Sequence, residues 1–174
     1  MRQLVLCAVL CVAAAAHATV LAPLDTRALT ARADRVVLGT VESKVARWSD
    51  DHEVIFTDVT IRVTRSYKGA VKPGQTLVVR REGGVVDGIG MRVYGAASFA
   101  VGEEVLVFAQ TRGGATYTVG MTQGKLHVTV GPDGVKQVAA NLADVAFTRA
   151  DAHVALGPRR LADVEREIRA YVRK

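Results

Sequence analysis

Chemistry in this chain is sought first at its histidines, carboxylates, serines and arginines. Beyond the N-terminal segment the histidines are His52, His127 and His153. None stands four residues from another, the spacing that sets two imidazoles on one helix face for a zinc ion. Asp50-Asp51-His52-Glu53 gathers ligand-type side chains. Consecutive residues do not all face one ion without a purpose-built loop, and Asp is a common turn residue in any case. The tetrad is therefore read as a polar turn, and no metal is expected. Ser98 stands in Ala97-Ser98-Phe99, outside the Gly-x-Ser-x-Gly elbow of a serine hydrolase. Asp87 and Glu103 flank a glycine-rich stretch. A glycosidase holds two carboxylates about 5–10 Å apart across a cleft, but Asp87-Gly88 reads as a turn and Glu103 as the start of a strand. Neither receives a catalytic role.

Gly88-Ile89-Gly90 matches only part of a dinucleotide fingerprint. The third glycine is missing, and no helix opens behind it to direct its dipole at a phosphate. No cofactor is expected. The glycines instead let the connection lie close to the scaffold, and Asp87, Arg92 and Tyr94 become candidates for a recognition surface, as loops on rigid scaffolds often are. Arg80-Arg81, with Arg62 and Arg65, forms a candidate basic strand face. Single-strand binders interleave such a face with aromatics for base stacking. Here Arg62, Thr64 and Ser66 alternate with no aromatic between them on that face, and no nucleic-acid partner is expected.

These residues have to be positioned by a mostly β scaffold. The chain has 174 residues, 49% hydrophobic but only 5% aromatic, so its core is built from Val, Ala and Leu. Residues 1–18 read as a signal peptide: Arg2, then an apolar run from Leu4 to Ala16, then Ala16-His17-Ala18. The run falls short of the roughly 20 residues that cross a bilayer. Cys7 and Cys11 both lie inside it, so the expected product from Thr19 is disulfide-free and secreted or periplasmic. A chain of that size buries roughly 68–70% of its unfolded surface and needs no covalent staple. The basic excess sits mainly in residues 159–174, where six basic side chains face three acidic ones.

Residues 19–34 form an N-terminal segment with a possible short helix, since Leu24, Ala28, Leu29 and Ala33 keep helical spacing and Asp25 is a potential cap. Residues 35–140 are expected as the β domain. Arg35–Trp48 is a strand with Val37, Val41 and Val45 on one face and a bend or bulge at Gly39. Glu53–Tyr67 alternates strictly, with Ile55, Thr57, Val59, Ile61, Val63 and Tyr67 expected on one face. Gln75–Glu82 follows. Residues 83–102 hold six glycines and are read as a long connection with a short strand around Met91–Tyr94. Glu104–Gln110 is apolar on both faces, as a central strand is. Strands at 115–120, 125–130 and 135–138 follow, the last two joined by the turn Gly131-Pro132-Asp133-Gly134. Residues 141–158 connect to a basic amphipathic helix over 159–174, with Leu161, Val164, Ile168 and Val172 as its stripe, Pro158 in its first turn and Glu165–Arg169 as an ion pair. Strands adjacent in sequence favour a small antiparallel barrel, OB-like, with a β-sandwich as the alternative.

Three stretches, Ala33–Val41 (ADRVVLGTV), Val63–Gly69 (VTRSYKG) and Phe99–Ala109 (FAVGEEVLVFA), resemble in order the netrin-like domain shared with tissue inhibitors of metalloproteinases. The same strand pattern is similar to that of exported bacterial proteins of unassigned function. The resemblance implies a five-stranded OB-type barrel over roughly residues 33–130. The inhibitors of that family use an N-terminal cysteine on the protease zinc. The expected N-terminus here is Thr19, so that wedge is not carried over. The expectation is a non-catalytic exported module that binds an unknown protein or envelope component. A protease-inhibitor-like protein and an enzyme with an unrecognised site, around His127 or Asp87, are the alternatives. The C-terminal helix is a candidate for weak contact with an anionic surface.

Overall fold

A computed structural model describes residues 19–148 and 157–173. The expected signal peptide with both cysteines, His153 and Lys174 lie outside the described residues. In chain order the elements are β1 (Thr19–Leu21), α1 (Thr26–Arg32), β2 (Arg35–Trp48), β3 (Ile55–Lys68), β4 (Thr76–Glu82), β5 (Gly84–Val86), β6 (Ile89–Met91), β7 (Glu104–Arg112), β8 (Ala115–Thr118), β9 (Lys125–Val130), β10 (Lys136–Ala140), β11 (Val145–Phe147), β12 (Arg159–Arg160) and α2 (Leu161–Val172). A 3-10 turn, Met121–Gly124, joins β8 to β9. The protein is mainly β with antiparallel sheets and a C-terminal helix. No helix among the described residues is long and apolar enough to cross a membrane.

The main sheet runs β12-β10-β9-β7-β2-β3-β4, all antiparallel. β8 pairs with the C-terminal half of β7, and β9 with its N-terminal half. This explains why β7 is apolar on both sides. Val105, Val107 and Ala109 belong to one core, while Leu106 and Phe108 belong to another. The N-terminal half of β2 divides likewise: Val37 and Val41 join the first, Val36 and Leu38 the second. The first core lies inside the curl of β2, β3 and β4, with Val59, Ile61, Val63, Leu77 and Val79. The second lies under the helices, where Leu29 of α1 and Leu161, Val164 and Ile168 of α2 cover the sheet. Each large apolar side chain buried in these cores contributes about 1.5–3 kcal/mol.

The curl does not close into a barrel. β4 packs against β8, but no backbone ladder joins them among the described residues. The alternation of β2 also departs from its sequence reading. Val41 stands opposite Ile61 and Ser43 opposite Thr60, so Glu42 is an extra residue. This bulge reverses the facing of everything after it. Val45 is consequently 59% exposed rather than on the Val37–Val41 face, and Lys44, opposite Val59, takes the inner side. The β2–β3 register shifts between Leu38 and Gly39, at the expected bend or bulge. A side chain at Gly39 would run into the Arg62 carbonyl and reach 2.8 Å from Ile61 Cγ2.

The first and last described segments are part of the fold. Asp25 caps α1, its Oδ1 accepting from the Ala28 amide at 2.7 Å. β1 pairs in parallel with β11, inside the segment read only as a connection. Pro158 does not enter the first turn of α2, because Arg159 and Arg160 pair with β10 and Arg160 is the N-cap. Val172 is 39% exposed, so the buried stripe ends at Ile168. Glu165 does lie 3.7 Å from Arg169, but its closer partners are on β3. Arg65 Nη1 and Tyr67 Oη both donate to Glu165 Oε1, at 2.6 and 2.5 Å. Burial, reinforced by the Glu165 carboxylate, pushes the Tyr67 phenol well above its ordinary pKa.

Candidate binding site

The glycine-rich connection is a built structure. It contains the β5–β6 hairpin, with Val86 opposite Ile89. Asp87 and Gly88 form its tip at φ 50° and 79°, the two left-handed residues of a type I′ turn. The short strand expected around Met91–Tyr94 is displaced to Ile89–Met91, and Arg92 and Tyr94 follow the ladder. The base of the hairpin lies close on the sheet. A Cβ at Gly84 would sit 2.5 Å from Thr57 Oγ1, and Thr57 donates to the Gly83 carbonyl at 2.5 Å. Val85 and Ile89 are 67% and 56% exposed.

Of the three predicted site residues, the structure joins two. The Arg92 guanidinium lies over the Tyr94 ring, 4.9 Å from its centroid. Arg92 Nη2 also reaches both oxygens of Asp144, at 3.0 and 2.8 Å. Tyr94 is tied to the N-terminal strand, its carbonyl accepting from Thr19 Oγ1 at 2.7 Å. Asp87 stands apart at the exposed hairpin tip. The surface is therefore a cation–π and ion-pair patch at the base of the hairpin, with the Asp87 tip apart from it. Asp144 and Thr19 are members that the sequence reading missed, because only the β1–β11 pairing brings them there.

The basic strand face divides once the register is known. Arg62 pairs with Glu42, Arg65 with Glu165, and Arg80 with Asp58, which also pairs with Arg47. Arg81 stands opposite Thr57 on the inner side, away from Arg80. Its alternation with Leu77 and Val79 was the sequence signal for that orientation. Asp50-Asp51-His52-Glu53 is the β2–β3 turn, where the His52 amide donates to the Ser49 carbonyl. Among the described residues no three His, Cys, Asp or Glu side chains gather as a metal site requires.

His127 belongs to a second charged group. Lys125, with 1% of its side chain exposed, places Nζ 2.9 Å from Glu103 Oε1 and 2.7 Å from His127 Nδ1. His127 Nδ1 lies 2.9 Å from Glu103 Oε2, and the Phe99 ring lies 5.2 Å from the ammonium. Burial pushes the Lys125 pKa down against the pull of Glu103. Burial also works against the Glu103 carboxylate, but Lys125 and the Ala100 amide outweigh it and hold its pKa below the ordinary range. Each charge in this group is answered from within. Phe99 of this group also lines a cavity with Lys44 and Arg81, which neither His127 nor Asp87 lines. The chain matches no family model, no curated protein and no solved structure with which it was compared.

Proposed function

We propose that the protein is an exported, non-catalytic binding module that docks a protein partner on the β5–β6 hairpin and the adjoining Arg92–Tyr94–Asp144 patch. One observation carries the reading. A two-residue turn closes a ribbon that holds Val85 and Ile89 exposed, one on each face. Exposed apolar side chains on a preordered element lower the entropic cost of association, and aromatic and arginine residues are the preferred anchors of interfaces. Charge-paired residues around them supply orientation more than affinity.

The scaffold reading belongs to the same proposal. β2, β3 and β4 run consecutively, β7 lies on β2, β8 on β7, and β8 packs back on β4. That circuit supports an OB-like, partly open five-stranded barrel and, with the three sequence stretches, a netrin-like relationship. Secretion follows from the signal peptide reading and belongs to the proposal too. The test uses protein purified after expression of the full chain. Proteins retained from envelope and culture-supernatant extract are identified, purified and titrated against it and against the double variant Val85→Ser, Ile89→Ser. Affinity for a purified partner falling about tenfold or more in the variant, with unchanged thermal unfolding, supports the reading. Equal affinity removes the hairpin from the interface.

A further inference from the structure

We propose a second site: the inner end of the β2–β3–β4 surface binds a small oxyanion, a carboxylate or a phosphate, between Arg81 and Lys44. The two cations reach this place by register. Lys44 stands opposite Val59, whose partner on β4 is Val79, and Arg81 stands opposite Thr57, two residues from Val59. All therefore share the inner side, because directly opposed residues of a ladder lie on one face. A cavity of about 340 Å³ opens there, lined by Lys44, Thr57, Arg81 and Phe99 and bounded by Gly84 and Val85.

The charges in this cavity are unanswered. Arg47, Arg62, Arg65 and Arg80 each have a carboxylate within 3 Å. Among the described residues neither Arg81 nor Lys44 has one in ion-pair range. Arg81 Nη1 reaches only the Ala97 carbonyl at 3.3 Å, and Lys44 Nζ the Phe99 carbonyl at 2.8 Å. Arg81 Nε is buried with no acceptor. Arg81 also lines the neighbouring cavity, together with Ala97 and Glu82, but among the described residues Glu82 makes no ion pair with it. Glu103 is committed to Lys125 and His127. Burial alone lowers the Arg81 pKa, as an uncompensated cation requires. A half-buried guanidinium without a counter-charge is costly, and an oxyanion supplies two acceptors in the geometry its fork matches. An ammonium on the opposite wall adds a point charge to the same ligand. The site does not require the hairpin to dock a protein.

The probes are inorganic phosphate, acetate and N-acetylglutamate, each titrated at fixed ionic strength against chloride. The readouts are the Arg81 side-chain Nε–H resonance and the thermal midpoint. A saturable shift with phosphate alone identifies a phosphate site. One with acetate and N-acetylglutamate identifies a carboxylate site, of the kind an acidic side chain of a partner occupies. Either supports the proposal provided that Lys44→Met, an exposed position, weakens binding about tenfold. Arg81→Gln is expected to abolish it. A rise in the thermal midpoint that does not saturate, or that Lys44→Met leaves intact, is a general salt effect and overturns the proposal. Absence of any shift in the unaltered protein does the same.

Discussion

Replacing Glu103 by Gln tests the reading of the Lys125 group most directly. The Lys125 ammonium is almost wholly enclosed, with Glu103 oxygens at 2.9 and 3.0 Å as its charged partner. Glu103→Gln keeps the shape and removes the charge, leaving the ammonium buried beside a neutral amide. Breaking a buried pair from one side costs about 3–5 kcal/mol. Lys125→Met leaves a different remainder. The Glu103 side chain is 17% exposed and still holds the Ala100 amide at 2.8 Å, so water and that bond soften the loss to about 1–3 kcal/mol. The double variant removes both charges and approaches a neutral, packed interior. Its destabilisation falls below the sum of the two single effects by about 2 kcal/mol. The assay is urea unfolding of the three variants and the unaltered protein at pH 7. A Glu103→Gln cost under about 1 kcal/mol, or additivity within about 0.5 kcal/mol, refutes the buried-pair reasoning. The pH dependence has a definite sign. Because the folded-state pKa of Glu103 lies below its unfolded value, the stabilisation is present above the unfolded pKa. It is lost as pH falls through the folded one. Acid unfolding scans below about pH 4.5 therefore show a steeper loss in the unaltered protein than in Glu103→Gln.

Gly39→Ala is expected to destabilise by about 1–3 kcal/mol or more, because its methyl group meets the Arg62 carbonyl in a packed ladder; an unchanged urea midpoint refutes this. Asp25→Ala removes the cap of α1 and costs about 1 kcal/mol, while Asp25→Asn costs less, in the same unfolding assay. Glu165→Gln weakens the seat of α2 on β3, since Arg65 and Tyr67 both donate to one carboxylate oxygen. A loss of about 1–3 kcal/mol is expected, with the Tyr67 ultraviolet titration moving down toward the ordinary phenol range as the neighbouring negative charge disappears.

Much of the scaffold was legible in sequence, because strands and turns leave local signatures. The alternation of β3, the two-sided apolarity of β7, the Gly131–Gly134 turn and the stripe of α2 all follow from side-chain period and turn chemistry. Gly39 and Asp87-Gly88 were readable for the same reason, since each meets a local backbone demand. Tertiary structure alone decided what depends on register and on pairing across long stretches of chain. The extra residue at Glu42 turned Val45 outward and Lys44 inward, a reversal that no alternation count reveals because the bulge is defined by the partner strand. Glu165 looked like one half of a helical ion pair, yet packing against β3 gave it to Arg65 and Tyr67. Arg80 and Arg81 are neighbours in sequence, but the pleat sends one to Asp58 outside and the other to an unanswered position within. Composition and periodicity specify which faces are apolar. Which charges meet, and which remain unpaired, is set by the fold, because Coulombic partners are chosen by distance in space and not along the chain.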